Sequence, residues 1–262
     1  MSLADIVERS RSGVFQIVFL NDKNERIGGG SAFLAKGYLI TNNHVYAGHL
    51  GAHQVGIRRD DMPAGKFTVF DAHHFSRRLV VGSDQGSYDY AILNVPEVLK
   101  ETDHRFLVEV PGARRIGEAV ALLGFPLEHD NLTCHQGIIS SFYTSGLVNV
   151  IQLDASVNAG NSGGPLIDLE TDVAFGIVTR KATGLTQLFD HLRQSMKTNI
   201  EMTQQQGMGG ILIGGINVVE AFRVSQTQML LTLDEIERQA NVGIGYAFSA
   251  AHILAEPSLA AA

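Results

Sequence analysis

The sequence predicts an all-β chain interrupted by one helical segment, and three observations lead there. Through the first two thirds, apolar runs of roughly 3–7 residues, rich in β-branched side chains, alternate with Gly, Asn and Asp turns. From 185 to 240 the apolar spacing changes to i, i+3, i+4, i+7, the period of a helix packed on one face. Strand character then returns in "VGIGYAFSA", residues 242–250. Closely spaced short strands of this kind fit a barrel or a sandwich.

Taken in order, Val14 to Leu20, Ser31 to Leu34, Tyr38 to Ile40, Phe67 to Phe70 and Ala91 to Val95 read as strands. Ala119 to Leu123, Gly137 to Phe142, Val148 to Leu153, Pro165 to Ile167 and Ala174 to Thr179 follow. Ala35-Lys36-Gly37 reads as a hairpin turn. Leu185, Leu188, Phe189, Leu192, Met196 and Ile200 make one helical stripe. Val219, Phe222, Met229, Leu230, Leu233 and Ile236 make a second, beyond the glycine-rich "GMGGILIGG" at 207–215. The tail "AEPSLAAA" reads as disordered, and no internal repeat is present.

Composition narrows the function classes. The 262 residues suffice for a large core, and the net charge of −7 comes without any Lys/Arg run, which argues against nucleic acid as a partner. The sole cysteine, Cys134, allows no intrachain disulfide and reads as an inert residue near a strand. The start "MSLADIVERSRSGVF" lacks the apolar core of a secretory signal, and no apolar run is long enough to span a bilayer. A cytoplasmic location is therefore expected, or an exported one if the chain has been trimmed. His49, His53, His73 and His74 lack carboxylates or thiols at metal-ligand spacing, so no metal and no cofactor is expected.

The chemistry concentrates in "IQLDASVNAGNSGGPLID". A serine hydroxyl needs a base within hydrogen-bond reach and preorganised N–H donors for the developing oxyanion. Glycines beside it allow positive φ and leave room for a substrate carbonyl. Gly160-Asn161-Ser162-Gly163-Gly164 satisfies these needs, and it also fits the G-x-S-x-G elbow of α/β-hydrolases. Chain order separates the two. The elbow requires an acid and then a histidine after the serine, on alternating strands and helices. Here His44, in "YLITNNHVYAG", and Asp89, in "SYDYAILNV", both precede Ser162 within strand-rich surroundings. That is the His-Asp-Ser order of β-barrel proteases.

These stretches resemble the trypsin-like (chymotrypsin-fold) serine peptidases, most closely the HtrA/Deg type. "GGGSAFLAKGYLITNNHV" resembles the strand pair leading into the histidine loop, "DYAILNV" the aspartate strand, and "RRIGEAVALLGFPLE" and "GIISS" the start of a second barrel. The resemblance covers roughly 5–180 and 241–254. It implies two six-stranded antiparallel β-barrels with a catalytic cleft between them: 1–105 with His44 and Asp89, and 106–254 with Ser162. A helical insertion at about 185–240 would interrupt the second, and 255–262 would be a tail.

By the same resemblance His44 is the general base, Asp89 fixes its tautomer, and Ser162 is the nucleophile. The oxyanion hole falls at Gly160, Asn161 and Ser162, with the Gly160 and Ser162 N–H groups as donors. Asn161 stands where secreted trypsins carry the aspartate that pairs with a newly cut N-terminus, so activation without N-terminal processing is expected. The primary pocket maps to Ser156, Val157, Thr179, Arg180 and Ile244. That set holds no acidic residue, so small or apolar residues are expected before the scissile bond. The peptide-binding PDZ domain that commonly follows is not expected, with so few residues after about 254. The expected function is a serine endopeptidase acting on polypeptides, with a possible homo-oligomer or gate formed by 185–240. The contrasting expectation is a protease-like binding or scaffold protein with a blocked site.

Overall fold

The computed structural model describes residues 2–84, 86–112, 114–126, 130–179, 184–205, 212–239 and 243–260. These fall into two units, one comprising 1–180 with 243–262 and the other 181–242.

The larger unit opens with α1 (Leu3–Ser10), where the Ser2 hydroxyl accepts from the Asp5 N–H and the Asp5 carboxylate accepts from the Ser2 N–H. This reciprocal cap satisfies donors that a helix start leaves open. Then come β1 (Val14–Leu20), β2 (Arg26–Ala35), β3 (Tyr38–Thr41), α2 (Asn43–Tyr46), β4 (Gln54–Arg59) and β5 (Thr68–Asp71). Helix α3 (Ala72–Ser76) and strands β6 (Leu79–Ser83) and β7 (Tyr90–Leu93) complete this half. Its seven strands form one antiparallel, curled sheet in the order β5-β4-β1-β2-β3-β7-β6, one strand more than the six expected.

The second half builds β8 (Ala119–Gly124), β9 (Thr133–Ser145), β10 (Val148–Asp154), β11 (Pro165–Asp168) and β12 (Ala174–Thr179). The smaller unit holds α4 (Gly184–Gln205), the two-residue strands β13 (Leu212–Ile213) and β14 (Ile216–Asn217), and α5 (Val218–Gln239). Within it, Asn199 on α4 donates to Gln226 on α5 at 3.4 Å. Part of the glycine-rich stretch, 207–211, lies outside the described residues. The chain then returns as β15 (Ile244–Ser249), which closes a six-stranded barrel in the order β10-β15-β12-β11-β8-β9. Helices α6 (Ala251–Leu254) and α7 (Pro257–Ala260) follow.

Alternation along the strands feeds three apolar cores. Phe15, Ile17, Leu34, Leu39 and Val55 fill the concave side of the first sheet, and Leu122, Ile139, Ile151, Leu166 and Phe175 fill the barrel. A third core, with Ile6, Phe33, Ile40, Ile92, Phe125, Ile177 and Ile253, joins the two halves. Each fully buried side chain of this size contributes about 1.5–3 kcal/mol. A rigid seam between sheet and barrel results, and the site lies on it.

Residues 255–260 of the expected tail are ordered instead. Leu259 is 2% exposed within the joining core, and Lys36 Nζ donates to the Leu259 carbonyl at 2.9 Å. The short apolar segment finds a place in the core that a reading of its composition does not register. Strands β4 and β6 and helix α1 are also absent from the sequence reading, and β2 begins five residues earlier than the expected Ser31.

Candidate active site

The histidine and the aspartate come from the first sheet. His44 sits on α2, directly after β3, and Asp89 directly precedes β7, the hydrogen-bonded neighbour of β3. Strand pairing therefore brings them together across 45 residues of sequence. The Asp89 Oδ1 accepts the His44 backbone N–H at 2.9 Å, and Oδ2 lies 2.7 Å from His44 Nδ1. An ionised carboxylate only accepts, so Nδ1 carries the proton and Nε2 keeps its lone pair. The Asp89 side chain is 1% exposed, while that of His44 is 28% exposed, so the carboxylate is buried behind an imidazole open to solvent.

Asp89 adopts a left-handed backbone, φ 48°. Its N–H donates to the Asp84 carbonyl at 3.0 Å, and its own carbonyl accepts from Asn42 Nδ2 at 3.0 Å. Both flanking peptide planes are thus fixed.

The serine belongs to the barrel. Ser162 lies in the loop between β10 and β11, 6% exposed, and that loop is bonded to β2 of the first sheet. Ser31 N–H donates to the Ser162 carbonyl at 2.8 Å, and Ser31 Oγ donates to the Gly160 carbonyl at 2.7 Å. The same Oγ accepts from Phe125 N–H at 2.8 Å, and the Ser31 carbonyl accepts from Thr41 Oγ1 at 2.6 Å. Gly30 measures how near the halves come: a Cβ there would stand 2.6 Å from Val45 Cγ1 and 3.1 Å from the Ser162 carbonyl oxygen. The neighbour of His44 and the backbone of Ser162 therefore flank one glycine. Gly163, at φ 91°, is pressed closer still, since a Cβ would lie 2.0 Å from the Ser31 carbonyl oxygen.

Within the loop, Gly160 adopts φ 98°. The Asn161 N–H closes a turn onto the Asn158 carbonyl at 3.0 Å, and the Gly163 N–H donates to Val178 at 2.8 Å. Of the three residues expected at the oxyanion hole, Asn161 is thus distinct, because its N–H is already engaged. The Gly160 and Ser162 N–H groups donate to no backbone carbonyl among the described residues. The Asn161 amide nitrogen is 3.4 Å from Nε2 of the half-buried His135, whose pKa burial lowers.

The expected pocket residues are only partly grouped. Val157 is buried and packs so close to Gly245 that a Cβ on the glycine would stand 2.5 Å from Val157 Cγ2. Thr179 is buried opposite Tyr246, and Ser156 is half-buried. Ile244 is 52% exposed, because strand alternation turns Gly245, not Ile244, toward Val157. Arg180 lies outside the described residues.

His49 Nδ1 donates to the Tyr46 carbonyl at 2.7 Å, and among the described residues no group of three His, Cys, Asp or Glu could hold a metal. No helix among them is long and apolar enough to cross a membrane. The contributions of Ser31, Thr41 and Asn42 escape a sequence reading. Their one signal is that they lie inside the glycine-serine and T-x-x-H stretches already singled out.

The trypsin-like peptidase domain family matches residues 28–177. The serine protease Do-like HtrA of Bacillus subtilis is 36% identical over 148 residues, which cover 52% of this chain and 28% of that protein. The periplasmic pH-dependent serine endoprotease DegQ of Escherichia coli is 34% identical over 144 residues, covering 53% and 28%. Among solved structures, the HtrA-type protease AlgW with tripeptide matches at 32% identity and TM-score 0.53, covering 68% of this chain and 54% of that one. The chain thus spans about a quarter of the length of these two curated relatives.

Proposed function

The chain belongs to the trypsin-like peptidase domain family, and from that premise we propose that it is a serine endopeptidase. The observation that carries this reading is the His44–Asp89 pair, built into the sheet that is bonded to the Ser162 loop. His44 Nε2 takes the proton of Ser162 Oγ as the oxygen attacks a peptide carbonyl carbon. The carbonyl π electrons move onto oxygen, and this oxyanion accepts hydrogen bonds from the Gly160 and Ser162 N–H groups. As the C–N bond breaks, the imidazolium returns its proton to the leaving amine. Water then resolves the acyl-enzyme by the same route. Asp89 holds the imidazole in its Nδ1–H tautomer and stabilises the cation. Nothing in the sequence requires a cofactor.

The substrates are polypeptides, with small or apolar residues before the scissile bond. That preference rests on the absence of any carboxylate from Ser156, Val157 and Thr179, with Gly245 beside Val157. A peptide library dominated by Lys or Arg at this position would contradict it. The insertion at 185–240 is proposed as a gate or a homo-oligomer interface, from its place in the chain between the paired strands β12 and β15. Unchanged kinetics and oligomeric state after deletion of 187–238 would refute both roles. DegQ is named as periplasmic, which favours an exported setting over the cytoplasmic one expected from the N-terminus.

The test of the function is labelling by a fluorophosphonate probe together with casein hydrolysis. Both are expected in the wild type and absent in Ser162→Ala. An unlabelled, folded wild type would make the chain a binding or scaffold protein instead.

A further inference from the structure

Asp89 stands between two tyrosines, and the C-terminal segment grips both. The Tyr88 ring stacks on His252 with centroids 3.5 Å apart and planes 22° from parallel. The Tyr90 hydroxyl donates to the Glu256 carboxylate. His252 and Glu256 are four residues apart, and their segment is anchored in the joining core: Ile253 between them and Leu259 beyond them are 1% and 2% exposed. Tyr90 itself is buried in that core beside them.

These contacts bear on the one constrained residue of the His44–Asp89 pair. A left-handed backbone is uncommon for a residue with a side chain and persists where its surroundings hold it. The φ and ψ of Asp89 relate the peptide plane it shares with Tyr88 to the one it shares with Tyr90. Asn42 and Asp84 fix the near ends of those planes by hydrogen bonds. Fixing the two tyrosine side chains fixes the far ends. Burial, reinforced by the Glu256 carboxylate, pushes the Tyr90 phenol well up, so it stays a neutral donor throughout the neutral range.

We propose that Glu256, assisted by His252, is a positioning residue for Asp89: it clamps Tyr90 and thereby holds the carboxylate against the backbone N–H and Nδ1 of His44. The proposal rests on the reading of His44, Asp89 and Ser162 as the reacting triad. It makes a segment more than 160 residues from Asp89 in sequence part of the catalytic geometry.

The experiment uses the full chain with Glu256→Ala, Glu256→Gln, Tyr90→Phe and His252→Ala. A displacement of about 1 Å in such a constellation costs up to about 10²-fold in rate, so Glu256→Ala is expected to lower kcat about tenfold or more with KM unchanged. Glu256→Gln should restore most of it, because the amide oxygen still accepts from Tyr90. Tyr90→Phe should match Glu256→Ala, and it carries the test if the alanine variant does not fold. His252→Ala should lose less. Proton NMR adds a direct reading: the downfield resonance of the His44 Nδ1 proton should shift or broaden in Glu256→Ala. It should stay in place in Ile139→Val, a barrel-core variant chosen to lower Tm comparably. Glu256→Ala or Tyr90→Phe with unchanged kcat and an unmoved resonance, whatever its Tm, would overturn the proposal. A wild type that neither cleaves nor takes the probe would defeat the triad reading alone, since the NMR signal still reports whether Glu256 holds Asp89.

Discussion

The His44–Asp89 pair and the Gly160–Gly164 loop meet at one seam but are held by different means. In the sheet, side chains carry the geometry: a buried carboxylate takes the His44 N–H and faces Nδ1, and the Asn42 amide braces the aspartate backbone. In the barrel, backbone carries it: positive φ at Gly160 and Gly163, and carbonyls of Gly160 and Ser162 bonded to Ser31. The difference teaches where each half tolerates change. A side-chain device can lose its chemistry and keep its shape, whereas a backbone device loses its shape first.

That comparison can be broken at several points. The largest expected effect is Asp89→Asn, which leaves the fold in place but favours the wrong tautomer, with kcat falling by about 10³–10⁴-fold. Steady-state kinetics beside an unchanged circular dichroism spectrum checks it. Gly160→Ala should lower kcat by about 10²–10³-fold with little change in KM, as expected when one oxyanion donor is misaimed. Gly163→Ala tests the barrel side more severely. Its Cβ would press on the Ser31 carbonyl at a backbone angle that resists side chains, for a loss of about 2–5 kcal/mol in chemical denaturation. A Gly163→Ala protein as stable as wild type would remove the claim that backbone carries this half.

Ser31→Ala should cost about 1–3 kcal/mol, because the buried Phe125 N–H loses its acceptor and the Gly160 carbonyl its donor. The smallest effect is acid-side. Burial lowers the His104 and His135 imidazoles from the ordinary 6.5, so the unfolded chain binds more protons once pH falls below that value. Stability is therefore full above about pH 6.5 and declines as pH falls toward the lowered folded values. Tm measured from pH 7.5 to 5 should show the decline, and His135→Gln should lessen it.

Much of this was legible in the sequence where chemistry dictates residue type. His44, Asp89 and Ser162 stand out because the proposed roles of general base, orienting acid and nucleophile each require a particular side chain next to a strand or in a glycine loop. Strand β4 was hidden because Arg58 and Arg59 interrupt its apolar pattern, yet both are buried. Arg58 donates to the Asp130 and Met62 carbonyls, and Arg59 pairs with Asp61 and Asp103. Local pattern cannot register a partner such as Asp130, 72 residues away. Ser31 escaped for the same reason, its contacts lying 94 and 129 residues away. The C-terminal segment read as disordered because its apolar anchor in the core, Leu259, is a single leucine among alanines. The helices of 185–240 were clear, since helical spacing is a local signal.

The most direct measurement is fluorophosphonate labelling of the folded full-length chain, read by intact mass. The account predicts one adduct on the wild type, none on Ser162→Ala, and strongly slowed labelling on His44→Ala. An adduct that survives Ser162→Ala, or a folded wild type that takes no label at all, would contradict it.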